Sequence, residues 1–172
     1  MKKHVMLVGL PGSGKTTVGR LVAEALHAGF VDIDAVIVRR ESKPIAMTFA
    51  EKGEAAFRAL EREEVSKALS HEPAILAPGG GWAAQEGAID AARLQALVVY
   101  LKTKPETAAS RAAPQGTRPM LMGEDPAEQM RQLLKEREPA YLKADAKVET
   151  DKKTPPQVCA EIVRLAQAQA GW

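Results

Sequence analysis

Apolar side chains recur along this chain in two rhythms. Residues 4–8, 74–77 and 97–101 are short, nearly unbroken apolar runs with sharp ends, the pattern of strands buried on both faces. Residues 30–33 and 147–149 carry a weaker form of the same signal. Between these runs the spacing changes to three and four. Val18, Leu21, Val22, Ala25 and Leu26 mark one stripe of a helix over 15–26. Similar stripes predict helices over roughly 44–51, 53–69, 86–94, 105–112, 125–140 and 155–168. Strands alternating with helices predict an α/β fold of three layers (α/β/α), with a central parallel sheet of about five strands. Right-handed crossovers then bring the strand ends, and any ligand crevice, to one edge of the sheet. The stretch 113–123, with two prolines, two glycines and little periodicity, reads as a mobile loop. No repeat or linker divides the 172 residues, so one domain over 1–172 is expected, with a lid at about 112–124.

Composition narrows the function classes more than it names one. The 24 Lys and Arg against 22 Asp and Glu leave a net charge of +2, too small to argue for a nucleic-acid partner. No apolar run approaches the roughly 20 residues of a membrane span. The one cysteine, Cys159, cannot form an internal disulfide, and the start Met-Lys-Lys-His lacks a cleavable signal pattern, so a cytoplasmic chain is expected. Aromatic residues are only 4%, so the core must be built chiefly from aliphatic side chains. His4, His27 and His71 show no metal-ligand spacing and, like Cys159 on the apolar stripe of the last helix, read as structural or incidental. Trp82 is expected to line the crevice, and Trp172 to be mobile at the chain end.

The strongest chemical signal is Gly9-Leu-Pro-Gly-Ser-Gly-Lys-Thr16, which satisfies G-x-x-x-x-G-K-[ST] between a predicted strand and a predicted helix. Its glycines let the backbone curl so that successive N–H groups point at phosphate oxygens. The helix that follows adds its positive end, Lys15 reaches the β and γ phosphates, and the Thr16 hydroxyl can ligate magnesium. Asp32 and Asp34 lie two apart at the end of the second predicted strand. One suits a metal through water and the other an attacking hydroxyl, although strand-end or N-cap aspartates are common. The strand at 74–77 ends in Pro78 and Gly79, with no aspartate, which leaves Asp32 as the metal candidate. Glu54, Arg58 and Glu61 share one helical face; the spacing alone favours surface ion pairs over an arginine fork for a substrate carboxylate. Gly79, Gly80 and Gly81, directly after a strand, allow a ligand close to the backbone. Arg111, Arg118 and Arg137 flank or occupy the irregular stretch, where an arginine on a closing loop can stabilise a transferring phosphoryl group.

The order of these features resembles the shikimate kinases along nearly the whole chain. The resemblance rests on the phosphate loop, Phe-Val-Asp-Ile-Asp at 30–34, Gly-Glu-x-x-Phe-Arg at 53–58, Gly-Gly-Gly at 79–81, Arg-Pro-Met-Leu at 118–121 and Glu-Arg-Glu-Pro-x-Tyr at 136–141. It implies a P-loop NTPase fold of the nucleoside monophosphate kinase type. It also implies transfer of the γ-phosphoryl group of ATP to the 3-hydroxyl of shikimate, with Mg2+ as cofactor. By the same resemblance, Lys15, Asp34 and Arg118 would be catalytic, and Thr16 and Asp32 would hold the metal. ATP would lie on Gly12, Ser13, Gly14, Lys15, Thr16, Thr17, Arg111, Arg118 and Pro155, with Arg111 and Pro155 or Pro156 against the adenine. Shikimate would be held by Asp34, Arg58, Arg137 and the backbone of Gly79, Gly80 and Gly81. The expected partners are these two small molecules, with no nucleic acid and no membrane, for a monomer. Trp82, Met120 and the charge-poor stretch 112–117 depart from the family pattern and bear on substrate fit and lid motion. Rival readings are a kinase for another small acidic polyol such as gluconate, a nucleoside monophosphate kinase, or an ATP-binding relative without activity.

Overall fold

The computed structural model describes residues 1–112 and 125–172, so the expected lid and Arg118 lie outside the described residues. The apolar run at the start becomes β1, His4–Val8, buried at all five positions. Four further strands form, β2 (Phe30–Asp32), β3 (Ile75–Ala77), β4 (Ala96–Lys102) and β5 (Ala146–Glu149). They pair in parallel in the order β2-β3-β1-β4-β5. This is the five-stranded parallel sheet that the alternation of elements predicts. The chain leaves β1 to one side, returns beside it as β3, and crosses to its other side as β4. The switch in direction therefore opens a crevice at the tip of β1.

Strand side chains alternate between two cores. Val5, Leu7, Ile75, Leu97, Val99 and Leu101 pack on one face with α1 (Lys15–Leu26) and α9 (Pro155–Gln169). Met6, Val8, Leu76, Val98 and Tyr100 pack on the other face. Helices covering that face include α2 (Ile33–Glu41), α4 (Glu54–Leu69), α5 (Gly80–Ala83) and α8 (Pro126–Tyr141). The remaining helices are α3 (Ile45–Lys52), α6 (Ala88–Ala92) and α7 (Pro105–Ala112). His4 is structural: its Nδ1 accepts from the Ala74 N–H and its Nε2 lies 3.2 Å from the Leu69 carbonyl, which ties β1 to the end of α4.

Three sequence expectations change, and one feature gains a structure that the sequence did not suggest. Ile33 does not extend β2 but opens α2, because Asp32 caps that helix by accepting from Ala35 N. Within the triple glycine, Gly80 and Gly81 form the first turn of α5, where Trp82 N donates to Gly79 O at 3.0 Å. Trp82 does not line a crevice; it is buried in the core. Trp172 is fastened, its Nε1 donating to Lys3 O at 2.9 Å and its ring under Lys2 Nζ at 4.6 Å from the centroid.

Candidate active site

The phosphate loop, Asp32 with Asp34, and the triple glycine stand at the ends of β1, β2 and β3, on one edge of the sheet. The phosphate loop joins β1 to α1 through Gly12 and Gly14, with φ of 79° and 96°, values that a side chain resists. α1 has no side-chain cap and no acidic residue in its first turn, so nothing on the helix itself neutralises its positive end. Lys15 Nζ donates to the carbonyls of Gly9 at 2.7 Å and Leu10 at 2.9 Å, which holds the ammonium over the loop. Ser13 is buried, and its Oγ has no hydrogen-bond partner among the described residues. That is an orphaned donor of the kind a phosphate oxygen satisfies. Thr17 is exposed on the first turn.

Asp32 reaches the loop from the end of β2. Its Oδ2 accepts from Thr16 Oγ1 at 3.1 Å while its Oδ1 accepts from Ala35 N at 3.3 Å, so one carboxylate both caps α2 and touches the loop. Thr16 and Asp32 thus place two hard oxygen donors side by side. Among the described residues no group of three or more His, Cys, Asp or Glu gathers as a metal site. Magnesium bound with a nucleotide takes one or two protein oxygens besides phosphate and water, so a pair of this kind fits it.

The triple glycine is where the other candidates meet. A Cβ on Gly79 would stand 2.5 Å from Glu61 Oε2 and 3.2 Å from Asp34 Oδ1. On Gly80 it would stand 3.0 Å from both Arg137 Nη1 and the Gly9 carbonyl of the phosphate loop. On Gly81 it would overlap the Arg58 guanidinium, 2.5 Å from Cζ. Three residues without side chains thereby let α2, α4, α8 and the phosphate loop close on one spot, with Asp34, Arg58 and Arg137 around it.

Arg58 and Arg137 are not loose surface cations. Arg58 Nη1 donates to Glu61 Oε1 at 2.6 Å, and Glu61 is 1% exposed, so this pair lies inside the molecule rather than on its surface as the spacing alone suggested. Glu54 does behave as a surface partner, 71% exposed and 3.9 Å from Arg58. Burial pushes the Glu61 carboxyl above its ordinary range and nearby Asp34 adds to the push, while Arg58 and Arg137 pull the other way. Arg137 is buried, on the same face of α8 as Tyr141. The spacing favoured a surface pair for Glu61 over its orienting an arginine fork, and gave Tyr141 no role beyond its place in a motif; burial distinguishes both.

On the nucleotide side, α7 packs its end against the phosphate loop. A Cβ on Gly12 would collide with Ala108 O and stand 3.2 Å from Ala112 N. That brings Arg111, exposed in the last turn of α7, to the neighbourhood of the loop. Pro155 is exposed at the start of α9, which follows β5 on the same side of β1 as β4.

Comparison with known proteins bears on this arrangement. A family model described as shikimate kinase matches residues 11–167. The shikimate kinase of Mycobacterium avium is 42% identical over 164 residues, covering 95% of this chain and 93% of that protein. The structure described as shikimate kinase from Acinetobacter baumannii in complex with shikimate superposes with a TM-score of 0.92 at 34% identity, covering 98% of this chain and 94% of that one. A gluconokinase from Sinorhizobium meliloti, at TM-score 0.61 and 21% identity over 98% of this chain and 92% of that one, shares the fold.

Proposed function

The chain belongs to the shikimate kinase family, and from that premise we propose that it transfers the γ-phosphoryl group of ATP to the 3-hydroxyl of shikimate, giving shikimate 3-phosphate and ADP. The observation that carries this reading is the meeting of Asp34, Arg58 and Arg137 at three consecutive glycines whose middle member faces Gly9 of the phosphate loop. A carboxylated polyol and a triphosphate are both anionic. Holding them next to each other requires positive charge from both sides, and the two arginines and Lys15 provide it.

In this mechanism Lys15 exchanges its two loop carbonyls for the β and γ phosphates, and the loop amides and the Ser13 hydroxyl bind the remaining oxygens. Arg58 and Arg137 grip the acceptor carboxylate, and Glu61 keeps the Arg58 fork in place. Asp34 holds the acceptor hydroxyl and takes its proton as the oxygen bonds to the γ-phosphorus and the bond to ADP breaks. The protein mainly supplies positioning and charge, with no covalent intermediate on the chain. Magnesium arriving with ATP would be held by Thr16 and Asp32 and would offset charge on the phosphate oxygens. Arg118 would join from the lid, and Arg111 and Pro155 would flank the adenine. We read the enzyme as a cytoplasmic monomer; no helix among the described residues is long and apolar enough to cross a membrane.

The test is ADP release by the purified chain with Mg-ATP and shikimate, gluconate or AMP. Turnover with shikimate alone is expected, and turnover with gluconate or AMP in its place would overturn the reading. Arg58→Ala is expected to raise the KM for shikimate roughly 10- to 150-fold, the range that a charge-assisted contact of about 1.5–3 kcal/mol implies.

A further inference from the structure

Arg137 and Tyr141 stand one turn apart on α8, and both lie against Gly80. The Tyr141 hydroxyl donates to the Gly80 carbonyl at 3.0 Å. A Cβ on Gly80 would lie 3.1 Å from that hydroxyl, as close as it would lie to Arg137 and to the phosphate loop. Gly80 has no side chain with which to anchor its own backbone, so its peptide is held by the first turn of α5 and by the neighbours that bind its carbonyl.

Tyr141 is itself held firmly. It is wholly buried, and its ring leans on Tyr100 with 5.1 Å between centroids. The Tyr100 hydroxyl in turn donates to Glu138 at 2.7 Å, a residue of the same helix. A trans peptide is planar, so committing the Gly80 carbonyl to Tyr141 turns the Gly81 N–H to the opposite side. The peptide between the Arg137 contact and the Arg58 contact is therefore held by the first turn of α5 and, from outside that helix, by one phenolic hydroxyl.

We propose that Tyr141 is a positioning residue for the acceptor: its hydroxyl pins the Gly80 peptide at the start of α5, and with it the spacing of the two arginines across the triple glycine. The inference rests on the reading of that glycine run as the acceptor site. Tyr141 itself is buried behind the run and acts through Gly80.

Tyr141→Phe removes the hydroxyl and leaves the ring volume in place. The KM for shikimate is expected to rise about tenfold, the factor equivalent to 1.4 kcal/mol, with kcat falling by less. The KM for ATP should stay within about twofold, because the phosphate loop keeps its own hydrogen bonds. Tyr100→Phe removes the other hydroxyl of the ring pair without touching Gly80, and is expected to lower Tm while leaving the KM for shikimate unchanged. Combining Tyr141→Phe with Arg137→Lys should give a non-additive effect on that KM, since both act at one peptide. Equal KM shifts in the two Phe variants, or a Tyr141→Phe protein with lower Tm and unchanged KM, would overturn the inference while shikimate turnover by the wild type still stood. A wild type that releases no ADP with shikimate would remove the inference and the functional reading together.

Discussion

Single residues at this site do more than one task, and Glu61 illustrates how. Its carboxylate accepts from Arg58 while buried beside Asp34, and burial raises its affinity for a proton above the ordinary value of 4.5. The folded chain then binds more protons than the unfolded chain between that value and the raised one. Glu61 thus contributes stability that is fully present below the ordinary range and lost as pH rises through its folded value. Glu61→Gln cannot titrate, so its Tm relative to wild type is expected to climb as pH goes from 4.5 toward neutrality. A gap that stays constant across those thermal melts would count against the buried, proton-seeking carboxyl. The sequence spacing put Glu61 on the right face but left it at the surface, since periodicity carries no information about what closes over a helix.

Elements, in contrast, owe their ends to local chemistry that is easier to read. Asp32 stops β2 and starts α2 with the same carboxylate that meets Thr16. Asn caps a helix about as well as Asp, so Asp32→Asn is expected to change stability by less than about 0.5 kcal/mol in denaturant titration. The charge beside Thr16 is lost, and the magnesium needed for half-maximal activity should rise at least about tenfold. Equal magnesium dependence would leave Asp32 as a cap only. α2 itself escapes sequence reading because Ile33, Val36, Ile37 and Val38 are β-branched, a composition that suits strands. The buried pair Ile33 and Ile37, four apart, is the helical signal within it. α5 escapes for the opposite reason: glycine has weak helix propensity, and the turn forms where Tyr141 and the core around Trp82 hold it.

Across the whole molecule the two chain ends meet beside β1. Lys3 N donates to Ala170 O at 2.9 Å, Trp172 Nε1 donates to Lys3 O, and Lys2 lies over the indole ring. Trp172→Ala should therefore cost about 1–2 kcal/mol, one hydrogen bond plus one cation–π contact, measured by urea unfolding. A cost near zero would return the residue to the mobile end that its position in the sequence suggested. The sequence alone determines the alternating α/β plan, the parallel sheet, the phosphate loop and the reaction class, because apolar periodicity and backbone-specific glycines are local properties that survive without coordinates. The tertiary structure decides which polar side chains are sealed in. Whether Glu61 is inside, whether Tyr141 reaches Gly80, and whether Trp82 turns to the core depend on which helices cross over which strands. Those contacts join residues tens of positions apart, and their energy comes from desolvation, which no single stretch of sequence specifies.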